Sequence, residues 1–407
     1  MASLTTTGRN QRRLFNLLQP EAASRQALSS QETSAHQSVK MQTRNLFLAA
    51  SQLAIGLAAP ASMPGFPAHR LSTRETHFNA SLPNITIFAT GGTIAGSASS
   101  NAQTTGYQAG ALGVDILIDA VPELWNVSNV KGVQVANVDS GSITPEILLN
   151  LTRLVQEALD DPYCQGAVVT HGTDTTEESA FFLDLTVKSE KPVVVVGAMR
   201  PATAISADGP INLLEAVTLA GNPDAKGRGT MIVLNDRIGS AFYTTKTHSN
   251  SLDTFKAVEQ GYLGFFLDIK PIFYYPAVLP YGRVYFNVSE ATELPEVDIL
   301  FGHQALQPAL ATAAVEAGAK GLVLAGMGAG GWTTPGRDTL KKLAEEHDTQ
   351  IVVSSRTMGG FVEDDDALNT YGGWNLNPQK SRIMLQLALY AGYTSEQLET
   401  LFKFAYY

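Results

Sequence analysis

Three short segments concentrate residues that could do chemistry: Thr-Gly-Gly-Thr-Ile-Ala-Gly at 90–96, Thr-His-Gly-Thr-Asp-Thr at 170–175 and Gly-Ala-Met-Arg-Pro at 197–201. In the first, Gly91 and Gly92 let the backbone turn sharply and bring N–H groups close to a small ligand. They present Thr93, whose hydroxyl either caps the turn or faces that ligand. The turn lacks the Gly-Lys-Ser/Thr ending of a P-loop and the G-x-G-x-x-G spacing of a dinucleotide site, so phosphate binding is not expected. In the second segment, Glu177 and Glu178 suit the first turn of a following helix, and one of Thr173 and Thr175 is expected to cap it. Asp174 and the other hydroxyl remain available; an Asp among strand-end amides can bind an ammonium group. His171 is read as structural, and Cys164 as a core residue.

Two further residues depend on their surroundings. Lys246, in Tyr-Thr-Thr-Lys-Thr-His-Ser-Asn at 243–250, is either a solvated surface group or, enclosed beside Thr and Asp, a general base. Tyr107 is the one aromatic in the uncharged run 94–113, rich in small residues. That run is either a closing lid carrying a phenol to the site or a plain surface loop. No G-x-S-x-G elbow occurs, and the histidines beyond residue 82 are not spaced for a zinc helix. The sequence offers no site for a metal or organic cofactor.

The elements that must hold these residues alternate. Apolar strand-length runs at 85–89, 133–138, 167–170, 193–196 and 231–234 are interleaved with helical patterns at 145–158, 177–185 and 212–220. Short, almost wholly apolar strands between helices predict a parallel sheet covered on both faces, with its ligand site at the C-terminal strand ends. All three segments fall at such ends. After a Pro-interrupted stretch at 291–295 the alternation resumes, with strands at 297–301, 321–325 and 350–354 and helices at 306–317 and 339–346. The expected fold is α/β: a larger N-terminal domain, 82–290, with a mostly parallel sheet flanked by helices, and a smaller C-terminal α/β domain, 296–407.

The 407 residues carry a formal charge of −10, which argues against nonspecific nucleic-acid binding, and no apolar run is long enough to span a bilayer. The charge is uneven: residues 1–81 sum to +5 and the remainder to −15. Residues 1–40 read as a disordered extension. Residues 41–81 have the layout of a secretory signal peptide and leader, with translation expected to start at Met41; a mitochondrial presequence is the competing reading. Sequons at Asn79, Asn84, Asn126, Asn150 and Asn287 fit secretion and glycosylation. The expected location is therefore extracellular or periplasm-like.

Together the segments closely resemble the bacterial-type L-asparaginase family, especially its secreted type II branch, which includes glutaminase-asparaginases. The matching stretches are Leu82-Pro-Asn-Ile-Thr-Ile-Phe-Ala-Thr-Gly-Gly-Thr-Ile-Ala-Gly, the 170–175 segment, Lys191-Pro-Val-Val-Val-Val-Gly-Ala-Met-Arg-Pro, Ser206-Ala-Asp-Gly-Pro and Leu376-Asn-Pro-Gln-Lys, in family order. The resemblance implies hydrolysis of L-asparagine to L-aspartate and ammonia, with lesser activity on glutamine, in a homotetramer whose sites form between subunits. It implies that Thr93 is the nucleophile, Tyr107 the lid tyrosine that activates it, and Thr173, Asp174 and Lys246 the second catalytic group. It further implies substrate contacts from Ser140, Gly172, Asp174 and Ala198, and from Glu363 of a neighbouring subunit. Two positions depart from the family pattern: Gly141 where many relatives carry Gln, and Ala329 where Asn is common. Other readings consistent with these residues are a glutamine-preferring amidohydrolase, a cytosolic type I enzyme with a misread leader, and a non-catalytic amino-acid-binding protein.

Overall fold

The structure, a computed structural model, describes residues 78–96, 100, 103, 110–365 and 368–403. The expected extension, almost all of the expected leader and Tyr107 lie outside the described residues.

The larger sheet is built from β1 (Asn84–Gly91), β2 (Asn129–Val138), β3 (Gly166–Thr170), β4 (Val193–Val196), β5 (Thr230–Leu234), β6 (Arg237–Ser240), β9 (Gly264–Leu267) and β10 (Lys270–Phe273). A separate two-stranded ribbon pairs β7 (Thr245–Lys246) with β8 (Phe255–Lys256). The order across the larger sheet is β10-β9-β6-β5-β4-β3-β1-β2. β2, β1, β3, β4 and β5 run parallel, and β6, β9 and β10 continue antiparallel. The all-valine β4 is buried throughout, as a central strand covered on both faces requires.

Helices α1 (Val114–Asp119), α2 (Leu124–Val127) and α5 (Gly209–Ala220) cover one face, where Leu117, Leu124, Leu213 and Val217 pack on Ile85, Ile87 and Val194. On the other face α3 (Pro145–Asp160) and α4 (Thr176–Thr186) set Leu151, Val155, Ala180 and Leu183 against Phe88, Val169 and Val195. Helix α3 starts where the sequence predicts, with Thr144 as its cap accepting from the Ile147 N–H and Pro145 in its first turn.

The smaller parallel sheet has the order β11 (Val297–Phe301), β12 (Gly321–Gly326), β13 (Gln350–Ser355) and β14 (Tyr371–Gly372). Helices α6 (Ala309–Ala317) and α7 (Thr334–His347) lie on one side, with α8 (Pro378–Tyr390) and α9 (Ser395–Phe402) on the other. The two sheets share a core: Phe181, Phe182 and Leu185 of α4 pack with Phe242 and with Ile383, Met384 and Leu387 of α8. Both belong to one compact unit, Thr76–Tyr407. The α/β architecture with larger and smaller sheets is as expected; the antiparallel strands β6–β10 and the helices α8 and α9 are additions.

Candidate active site

The C-terminal ends of β1 and β3 are tied by Thr90, whose Oγ1 donates to the Thr170 carbonyl at 2.9 Å. Beyond them the two turns meet through glycines. Gly91 and Gly92 have φ of 109° and 80°, the left-handed side that L side chains avoid. A Cβ on Gly92 would stand 2.3 Å from both Cα and N of Gly172, and one on Gly172 would stand 2.7 Å from Ser140 Cβ. This close approach sets Thr93, Thr173 and Ser140 on adjoining backbone. All three are nearly buried, at 8 %, 5 % and 3 % exposure.

Ser140 opens a short 3-10 turn, Ser140–Ser142, which Asp139 caps by accepting from the Gly141 N–H at 3.3 Å. Thr175 stands at the N-cap position of α4, yet neither it nor Thr173 caps the helix as expected. Thr175 Oγ1 instead donates to the Ser140 carbonyl at 2.9 Å, and Thr176 Oγ1 to the Gly172 carbonyl at 2.7 Å. The first bond ties the 140 turn to the 172 turn, and the second closes the 172 turn onto α4. Ala198 is fully buried, and its Cβ lies near Gly209 together with Ile94, so the segment after β4 borders the site from α5. The Asp208 carboxylate holds that segment by accepting from the N–H groups of Met199 and Arg200, each at 2.9 Å.

Lys246 enters from the β7–β8 ribbon. Its Nζ donates to Thr173 Oγ1 at 2.9 Å and to Asp174 Oδ1 at 2.5 Å. The Lys side chain is 11 % exposed and the Asp 75 %, so the pair has a buried cationic end and an open anionic end. The surface-group reading of Lys246 therefore fails. With its ammonium donating to the Thr173 oxygen, that hydroxyl can direct its own proton elsewhere, and negative charge on the oxygen is stabilised.

His171 is wholly buried, which pushes its pKa below the ordinary value; the Gly172 carbonyl acts in the opposite direction. A carbonyl cannot donate, so Nδ1 carries the proton towards Gly172 O at 2.8 Å and Nε2 accepts from Ser179 Oγ at 2.8 Å. A neutral histidine with both nitrogens engaged fixes the turn, as the structural reading expects. Cys164 is buried, donating to the Gly166 carbonyl.

The segment that carries Tyr107 leaves and returns at the site: Ala202 N–H bonds Gly96 O, and Gly110 N–H bonds Gly92 O at 3.0 Å. Glu363 is exposed on the smaller domain, beside the Val362–Trp374 bridge, and among the described residues no hydrogen bond or ion pair joins it to the site. Ala329 is at an exposed turn after β12. Residues the sequence reading gave no role include Asp208, Ser179 and Thr176. Their signal was present only as membership of the quoted stretches or as hydroxyls early in a helix.

Comparison with known proteins follows the same order along the chain. The family model described as "Asparaginase, N-terminal" matches residues 84–279, and that described as "Glutaminase/Asparaginase C-terminal domain" matches residues 296–402. Probable L-asparaginase 1 of Schizosaccharomyces pombe is 56 % identical over 329 residues, 81 % of this chain and 91 % of its own length. L-asparaginase 2-3 of Saccharomyces cerevisiae is 54 % identical over 333 residues, 81 % of this chain and 92 % of its own. A solved structure described as a probable cytoplasmic L-asparaginase from Campylobacter jejuni matches with a TM-score of 0.76 and 43 % identity, covering 79 % of this chain and 99 % of that one.

The last match corrects the location read from the leader and sequons: the fold is shared with an enzyme described as cytoplasmic, and the extracellular assignment does not stand. One of the sequons is engaged within the fold: the Asn84 amide is bound at the start of β1, donating to Tyr163 O at 2.8 Å and accepting from Asn129 at 2.9 Å. With both family domains matched in sequence order and relatives above half identical, the chain belongs to the asparaginase family and is an L-asparaginase, an enzyme that hydrolyses asparagine.

Proposed function

We propose that hydrolysis proceeds through Thr93 as nucleophile. Its Oγ bonds to the side-chain amide carbon of asparagine as its proton leaves towards Tyr107, and the carbonyl oxygen takes up negative charge on the side of the site that Ala198 borders. Collapse expels the amide nitrogen, which takes the proton that Thr93 gave up and departs as ammonia, leaving a β-aspartyl ester on Thr93. Water then attacks the ester. Thr173 gives its own proton to the departing Thr93 oxygen and takes one from the water, Lys246 stabilising the negative charge its oxygen carries between the two, and aspartate is freed. Asp174 binds the substrate α-ammonium from its exposed end, and Ser140 and Gly172 border the α-carboxylate.

The observation that carries this reading is the donation of Lys246 Nζ to both Thr173 and Asp174, on a turn held against the Thr93 turn by glycine contacts. Glutamine is a lesser substrate, its extra methylene fitting less well, and Gly141 leaves one polar contact to the substrate's main-chain groups unmade. The working unit is a homotetramer in which Glu363 of a neighbouring subunit completes the site, and the two domains, 82–290 and 296–407, divide at 291–295.

The test is ammonia release from asparagine and glutamine by the full chain beside Thr93→Val and Thr173→Val. Each variant is expected to lose at least about 10²-fold in kcat. Parent-like turnover by Thr93→Val would remove it as nucleophile.

A further inference from the structure

The first turn of α8 reaches out of the smaller domain to the two elements that flank the Thr173–Lys246 pair. Asn377 is the N-cap of this helix, its Oδ1 accepting from the Lys380 N–H at 2.9 Å. Its Nδ2 donates in two directions, to Glu177 Oε2 at 3.0 Å and to Thr245 Oγ1 at 3.2 Å. Glu177 is buried in the first turn of α4, three residues past Asp174, and Thr245 directly precedes Lys246. One amide group thus joins the helix behind the Thr-Asp turn to the strand that carries the lysine.

Lys380 acts on the same strand from one turn further along. Only 2 % exposed, its Nζ donates to the carbonyls of Ala241 at 2.9 Å, Phe242 at 2.9 Å and Thr244 at 2.7 Å, the run that leads from β6 into β7. All three N–H groups of an ammonium are thereby used. It also stands 5.7 Å from the Phe181 ring of α4. Arg382 adds an ion pair to Glu178 of α4 at 3.2 Å.

Burying an ammonium is costly, and an apolar side chain of like size commonly stabilises as well or better. Glu177 and Asp184 offset part of that cost by their charge, but the direct partners of the Lys380 nitrogen are carbonyls of a single loop. Fixing that loop is the return. We propose that Asn377 and Lys380 are positioning residues for the reaction, setting the spacing between the Thr173–Asp174 turn and the β7 strand so that Lys246 reaches Thr173. This rests on the reading of the Thr173–Lys246 pair given above.

The test uses the full chain with Asn377→Ser, in which the serine oxygen keeps the helix cap while the donor to Glu177 and Thr245 is lost. A loosened Lys246 is expected to lower kcat for asparagine about tenfold with KM within about twofold of the parent. Thr245→Val, which removes one acceptor and conserves shape, is expected to lower kcat about threefold and stands in should the serine variant fold poorly. Combined with Lys246→Met, Asn377→Ser is expected to cost nothing further, because its effect runs through that lysine. Parent-like kcat in both Asn377→Ser and Thr245→Val would overturn the proposal, as would a full additional loss in the double variant. Parent-like turnover by Lys246→Met alone would instead overturn the reading of the pair.

Discussion

The two walls of the site are built by opposite means. The wall of Thr93, Ser140 and Gly172 is held by backbone, with glycines so close that no Cβ fits between the turns. The wall of Thr173, Asp174 and Lys246 is held by side-chain donors, several of them from the smaller domain. The first should therefore break when atoms are added, and the second when donors are removed.

The largest effect is expected from Gly92→Ala. The substitution places a Cβ 2.3 Å from the Gly172 backbone at a φ of +80°, so the two turns must separate. Activity is expected to fall by more than about 10²-fold, alongside a lower melting temperature. A fully active Gly92→Ala enzyme would show that the close contact is dispensable. Next comes Lys246→Met on the other wall, expected to lower kcat by about 10²-fold while leaving the melting temperature near the parent's, since the Asp174 carboxylate it would leave behind is open to water and stays hydrated. A large stability loss there would make the lysine structural. Smaller again, Ser140→Ala is expected to raise KM about tenfold and change kcat less, as removal of a ground-state contact should; the reverse split would move Ser140 into the chemical step.

The smallest effect on turnover is expected from Glu215, a fully buried residue of α5 that belongs to neither wall. Burial first, and then its contact with Asp236, pushes the carboxyl up to about 8. Because the folded value lies above the ordinary 4.5, the folded state holds the proton more tightly than the unfolded state. The resulting stability is complete below the ordinary value and is lost as pH rises through about 8. Glu215→Gln should flatten the fall of melting temperature across that window and leave kcat near the parent's. A slope equal to the parent's would place the titration on another group.

The parallel half of the larger sheet was legible because its strands are continuous apolar runs, the signature of burial on both faces. The antiparallel half was not. Strands β6, β9 and β10 are four residues each, and the β5–β6 turn runs through Asn235 and Asp236 at φ of 53° and 58°, left-handed positions with no glycine to announce them. Helix α8 escaped for another reason: it buries Lys380, Ser381 and Gln386 together with its apolar residues, which blurs the amphipathic pattern.

In the site, Thr93, Thr173 and Asp174 could be placed because glycine-rich turns at strand ends are visible one segment at a time. Lys246 could not be separated from a surface lysine without its partners. The location was misread because a basic leader and sequons are short compositional signals, whereas the match to an enzyme described as cytoplasmic spans 79 % of the chain.

What the sequence determined by itself is local: apolar runs that become strands, glycines at the ends of two of them, and the hydroxyl and carboxylate that follow those glycines. Such features depend on a residue and its near neighbours. The tertiary structure alone decided that the 92 and 172 turns touch, that Lys246 meets Thr173 across 73 positions of chain, and that Asn377 meets Glu177 across 200. These are contacts between distant segments, fixed by the packing of α4 and α8 into one shared core, and no spacing along the chain encodes them.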